Sequence, residues 1–232
     1  MPNQGQPHAA AATADARPPR VFLLSPARLD GARGKLLFHP ATLFPIARAL
    51  RTRDGCAIGE VFRFVSGLYF RGKLAYASAF ARPPKGAEWM RGGALVITQN
   101  RGLLPAETRV CLEHLEAFAS TDIHANEPSF RKPFERDASL VAEALGGDGE
   151  AVLLGSIASA KYIDPLVSVL GERLLFPTDF VGRGDMSRGG LLLRCVDERR
   201  ELEYSAVTGA ARRGSRPAKL APQRRRSVKE AP

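Results

Sequence analysis

The chain has 232 residues, 44% of them hydrophobic and 25% charged, with a net charge of +10. That composition fits a chain with a proper core and excludes a wholly disordered one. No apolar run approaches the ~20 residues that span a bilayer, and the three cysteines and four histidines show no C-x-x-C pair or metal-ligand spacing.

The first twenty residues, "MPNQGQPHAAAATADARPPR", have no basic cluster followed by an apolar segment, so they make a poor signal peptide. Residues 1–19 are expected to be a disordered leader, and the location cytoplasmic. "VFLLSP" (21–26) reads as a short strand that ends at Ser25-Pro26. "ATLFPIARALRTR" (41–53) has helical spacing around Leu43, Ile46, Ala47 and Leu50, with Pro45 in its first turn.

Residues 58–81 read as two helices with a break near Ser66-Gly67, although their β-branched and aromatic content also admits a strand at 60–65. A strand over Ala94 to Thr98 is followed by a turn. Helices are expected over 106–120 and 132–147. Phe134, Ala138, Val141 and Leu145 line the second, and Gly146-Gly147 stop it.

From residue 150 the alternation is regular: a strand at 151–155, a helix at 160–170, a strand at 173–177, a helix at 186–198 and a strand at 202–207. Strands alternating with single helices point to βαβ units, and short fully apolar runs suit strands buried on both faces. The expected fold is one α/β domain over 20–208, a Rossmann-like three-layer sandwich with a mainly parallel sheet.

Residues 209–232 are expected to be a basic disordered tail. Eight lysines and arginines against Glu230 give it +7 of the chain's +10. Such a tail condenses onto DNA or RNA in a salt-dependent, sequence-blind way; equally, it can serve only as a solubilising segment.

In open parallel sheets ligands bind beyond the carboxyl ends of the strands. That rule selects Ser25 and Arg28 after the first strand, and Ser156, Lys161 and Tyr162 after the 151–155 strand. After the 173–177 strand it selects Arg183, Gly184, Asp185, Ser187 and Arg188. The hydroxyls and cations suit a phosphate, a nucleotide or a nucleic-acid backbone. Asp185 and Asp164 are the carboxylates placed to position a water at a glycosidic carbon.

The glycine spacing in "GRGDMSRGG" (182–190) matches neither the dinucleotide nor the P-loop fingerprint, so no cofactor is expected. Asp185 or Ser187 has a second reading there, as the cap of the next helix. In "LYFRGKLAYA" (68–77), Arg71 and Lys73 stand among Tyr69 and Tyr76. That pattern serves either base stacking or a packed helix face.

Three stretches, "SGLYFRGKLAYASAF" (66–80), "VITQNRGLLPAETRV" (96–110) and "FVGRGDMSRGGLLLR" (180–194), resemble a group of bacterial α/β domains of unassigned activity. Those domains carry an L-Y-x-x-x-L-F-R-K-x-x-x-Y-A-like helix, a strand ending in S-A-K-x-G-L-L and a later Gly-x-Gly segment. "FLLSPARLD" (22–30) also resembles the opening of the bacterial peroxide-stress DNA-binding family. This chain departs from the pattern at "TQNRGLL", which replaces S-A-K.

The resemblance implies a fold distantly similar to uracil-DNA glycosylases and a nucleic-acid or nucleobase ligand. The function expected is therefore nucleotide, nucleobase or nucleic-acid binding, with glycosylase- or lyase-like chemistry as its enzymatic form. The alternatives are a small-molecule enzyme with an incidental tail and a non-catalytic partner-binding domain.

Overall fold

The computed structural model describes residues 17–158, 160–210, 214, 215, 217, 218 and 220. Most of the expected leader and of the basic tail lies outside the described residues. A six-stranded mixed sheet forms the centre of one α/β domain. Its strands are β1 (Arg20–Leu24), β3 (Ala94–Ile97), β4 (Leu103–Pro105), β6 (Glu150–Leu154), β7 (Leu174–Pro177) and β8 (Tyr204–Ala206), in the order β4-β3-β1-β6-β7-β8. A two-stranded antiparallel ribbon pairs β2 (Cys56–Ala57) with β5 (Arg109–Val110).

The inner four strands are parallel. Phe22 pairs with Ala94 on one side and Val152 on the other, and Val152 pairs with Leu175. Val21 to Leu24 are fully buried, each side chain contributing roughly 1.5–3 kcal/mol by leaving water. Alternate residues feed opposite faces of the sheet. Phe22, Leu24, Val96 and Leu154 enter one core cluster; Val21, Leu23, Ile97 and Leu153 enter the other.

Eight α-helices accompany the sheet among the described residues. The first cluster takes α1 (Ala32–Phe38), α2 (Pro45–Leu50), α3 (Ile58–Ser66), α4 (Leu68–Phe80), α5 (Leu112–Ala119) and α8 (Asp185–Asp197). The second takes α6 (Pro128–Leu145) and α7 (Ala160–Leu170). None of these helices is long and apolar enough to cross a membrane.

Several expectations need correction. The edge strands β4 and β8 run antiparallel to their neighbours, so the last βαβ unit does not form. Residues 106–111 are not helical: Val110 pairs with Cys56 and Thr108 accepts from the Ile58 amide, and the helix begins only at Leu112. Helix α2 is shorter than expected and leaves Leu43 outside it and 68% exposed. The strand alternative at 60–65 is overturned by α3.

The break at Gly67 is present: its φ of 62° and ψ of −121° favour glycine and separate α3 from α4. Of the cysteines, Cys195 is buried, whereas Cys56 and Cys111 are only half-buried.

Candidate functional site

The connection leaving β1 leads to β3 on one side, and the chain then returns past β1 to build β6 and β7 on the other. The crevice between the carboxyl ends of β1 and β6 is therefore the topological switch point, where open sheets bind ligands. A cavity of about 520 Å³ lies there. Its polar lining comprises Ser25, Arg28, Ser66, Tyr69, Lys73, Ser156, Lys161, Tyr162, Asp185 and Arg188.

Seven residues chosen from the sequence thus meet in one cavity: Ser25, Arg28, Ser156, Lys161, Tyr162, Asp185 and Arg188. Arg183, Gly184 and Ser187 do not join them. They line a separate depression of about 380 Å³ together with Pro217, Ala218 and Leu220. There the Arg183 guanidinium donates to the Asp179 carbonyl at 2.9 Å and to Ser187 Oγ at 3.4 Å. Asp164 is exposed on α7 and lines a third depression with Ile163, Val167 and Thr208.

Local chemistry explains how the cavity is built. Ser25 precedes Pro26, which confines it to extended backbone and ends the strand. At the end of β6, Gly155 leaves the room that Ser25 needs. A Cβ there would stand 3.0 Å from the Ser25 Cβ and 3.1 Å from its Oγ.

The glycines of α4 and α8 act in the same way between helices. A Cβ on Gly72 would fall 2.7 Å from the Gly189 carbonyl oxygen, and one on Gly189 would fall 2.8 Å from the Leu68 oxygen. This close crossing brings Asp185 and Arg188 on the first turns of α8 against Tyr69 and Lys73 on α4. Neither Asp185 nor Ser187 caps α8. Its N-cap is Gly184, with no side-chain hydrogen bond, and Asp185 is the first helical residue.

Lys73 is the residue the strand-end rule missed. It is 2% exposed. Its Nζ donates to the Ser25 carbonyl at 2.6 Å and lies 3.0 Å from Ser25 Oγ. The nitrogen lies over the Tyr69 and Phe70 rings, 4.5 and 4.9 Å from their centroids. Among the described residues no carboxylate forms an ion pair with it.

Burial therefore dominates its titration and lowers its pKa to about 7, with Asp185 opposing the shift and Arg188 adding to it. The Tyr69 hydroxyl is buried beside the Arg188 guanidinium, with no well-formed hydrogen bond among the described residues. Burial pushes its pKa up to about 12.

The other polar groups are held in varied ways. Arg28 is exposed and paired with Asp30 through its Nε at 3.1 Å. Arg188 donates twice to the Phe180 carbonyl, at 3.2 and 3.0 Å, and meets Asp185 at 3.8 Å. Tyr162 packs edge-on against Phe130 and Phe134, its hydroxyl pKa raised by burial. Lys161 Nζ lies 5.3 Å from the centroid of that ring.

Of the two tyrosines read as base platforms, Tyr76 is fully buried among core residues. Only Tyr69 reaches the cavity. Among the described residues no cluster of histidine, cysteine and carboxylate side chains could hold a metal ion. Comparisons with family models, curated proteins and solved structures find no match to this chain, so the cavity is interpreted through its own chemistry.

Proposed function

We propose that the protein binds a nucleotide or nucleic acid, and that it is Rossmann-like, a three-layer sandwich with its ligand in the β1–β6 crevice. One observation carries this reading: among the described residues lining it, the cavity gathers the cations Lys161 and Arg188, with Arg28 at its rim paired to Asp30, against the single lining carboxylate of Asp185. Such an excess favours a phosphate-bearing ligand. Tyr69 and Tyr162 offer ring surface for a base. The resemblance to the peroxide-stress DNA-binding family supports the same ligand class. In an enzymatic form, Asp185 rather than Asp164 is the carboxylate positioned to orient a water at the ligand. The basic tail adds sequence-blind affinity for a polynucleotide.

The test is a set of binding isotherms on the full chain, with a nucleoside monophosphate and a short single-stranded oligonucleotide as probes. Lys161→Ala weakens both probes about tenfold, the effect of one lost charge-assisted contact. A triple serine substitution at Arg224, Arg225 and Arg226 weakens only the oligonucleotide. If Lys161→Ala and Arg188→Ala leave both affinities unchanged, the cavity is not the ligand site.

A further inference from the structure

We propose that Ser25 is a nucleophile and Lys73 its general base, a serine–lysine pair that cleaves an ester or acyl phosphate in the β1–β6 crevice. The argument begins with the order in which the two side chains meet solvent. Ser25 is half-buried and faces the cavity, while Lys73 lies behind it at 2% exposure. Their reacting atoms, Oγ and Nζ, are 3.0 Å apart, within reach of direct proton transfer.

The lysine is held in place. One N–H donates to the Ser25 carbonyl at 2.6 Å, and the Tyr69 and Phe70 rings cover the nitrogen. In the neutral amine the lone pair is then free to accept from Oγ. The competing acceptor for the Ser25 hydroxyl, the Leu154 carbonyl, is 3.4 Å away.

Two further features fit a placed nucleophile. Pro26 fixes the backbone of Ser25, and Gly155 clears its side chain on the neighbouring strand. The charged and titratable groups facing Lys73 are Tyr69 on its own helix and Asp185 and Arg188 from α8. Their sum leaves burial in control, so about half of the amine is neutral near pH 7. An arginine could not serve here, because a guanidinium does not give up its proton. A lysine needed only to fill the space would be better replaced by methionine, with no buried charge.

The step balances as follows. Ser25 Oγ attacks the carbonyl carbon as its proton passes to Lys73 Nζ. The Oγ–C bond forms and the bond from carbon to the leaving oxygen breaks, the leaving group taking the proton from Nζ. Water then adds to the acyl-serine, giving a proton to Nζ, and Ser25 recovers it as the acid departs. The substrate is an ester or mixed anhydride of a phosphate-bearing molecule. Its phosphate portion rests on the ligand reading above; the serine–lysine pair does not.

The test uses the full chain and a fluorophosphonate probe, which carries no nucleotide. The expected result is a label on Ser25, found by peptide mass spectrometry. Its rate rises through about pH 7 to a plateau, following the neutral fraction of Lys73. Ser25→Ala removes the label while cooperative thermal unfolding persists. Lys73→Arg lowers it by at least about tenfold.

Should that variant fail to fold, the pH profile of the wild-type protein decides alone. No label at Ser25, or a rate that climbs with hydroxide without a bend near the lysine's pKa, overturns the pair. An unchanged rate in a folded Lys73→Arg does the same. Labelling with this profile, but without nucleotide binding, leaves the pair standing and removes only the ligand reading.

Discussion

The two ends of the parallel sheet treat buried charge in opposite ways. At the amino end of β1, Arg20 bridges Glu150 and Glu201, and Arg82 joins Glu201 at 3.6 Å. Tyr204 lies under the Arg20 guanidinium, its centroid 4.7 Å away. Its hydroxyl meets that of Tyr76 at 2.6 Å, and Tyr76 Oη accepts from the Leu202 amide at 2.7 Å.

At the carboxyl end, Lys73 is more deeply buried and, among the described residues, has no paired carboxylate, while the neighbouring Tyr69 hydroxyl makes no well-formed hydrogen bond there. Helix α4 supplies both ends: Tyr76 lies one turn beyond Lys73. Where polar groups serve the fold they are satisfied; where they are left short, the arrangement costs stability and marks a place for chemistry.

The largest way to break this comparison is to remove the cation from the satisfied end. Arg20→Met strands Glu150, leaves Glu201 only its longer pair with Arg82 and the Tyr204 hydroxyl, and costs about 3 kcal/mol, measured by urea denaturation. Separating the helices that build the other end comes next. Gly189→Ala places a methyl group against the Leu68 carbonyl and costs roughly 1–3 kcal/mol. Mononucleotide affinity falls with it, because Asp185 and Arg188 move away from Lys73.

The same operation performed on Lys73 has the opposite sign. Lys73→Met stabilises the fold by about 1 kcal/mol at neutral pH, since it removes a buried amine with no paired carboxylate, a gain partly offset by the lost hydrogen bond to the Ser25 carbonyl. Its pH dependence sharpens the point. The folded pKa, about 7, lies below the unfolded value of 10.5. Between them the unfolded chain binds more protons, so wild-type stability gains from this group as pH rises through that window, by at most about 1.4 kcal/mol per unit. Below it the full penalty remains. The methionine variant lacks this rise. A wild-type profile identical to that of the variant removes the contrast between the ends.

The smallest effect is at the rim. Arg28→Ala leaves the melting temperature unchanged, because its pair with Asp30 is exposed. It weakens mononucleotide binding only a few-fold, roughly threefold for a solvent-screened charge.

The inner strands were legible because β1, β3, β6 and β7 are short, nearly continuous apolar runs, the pattern of strands covered on both faces. Edge strand β4 went unseen, whereas β8 was legible at 202–207 in its place but not in its direction. β8 is three residues long with Ser205 exposed, and its direction is set by pairing with β7 rather than by its own sequence. Helix α1 went unseen because it has seven residues and buries only Gly34 and Leu37.

The strand-end rule gathered most of the cavity, since the crevice is a property of topology. It missed Lys73, which lies mid-helix and far from any loop. The signal was a lysine at i+4 from Tyr69 and i−3 from Tyr76, on the same stripe as the aromatics. Conversely, the glycines of "GRGDMSRGG" match no phosphate-binding fingerprint, and what their spacing did not reveal is that Gly189 serves the crossing of two helices. A spacing in sequence cannot distinguish a glycine that admits a phosphate from one that admits a neighbouring backbone.

The most direct test of the central claim is a map of backbone amide shifts in the full chain as a nucleoside monophosphate is added. The account predicts saturable shifts concentrated at residues 25–28, 69–73, 156–162 and 185–188, with the Arg20–Glu201 end silent. Shifts confined to the basic tail or to the Arg20–Glu201 end, or none at all, would contradict it.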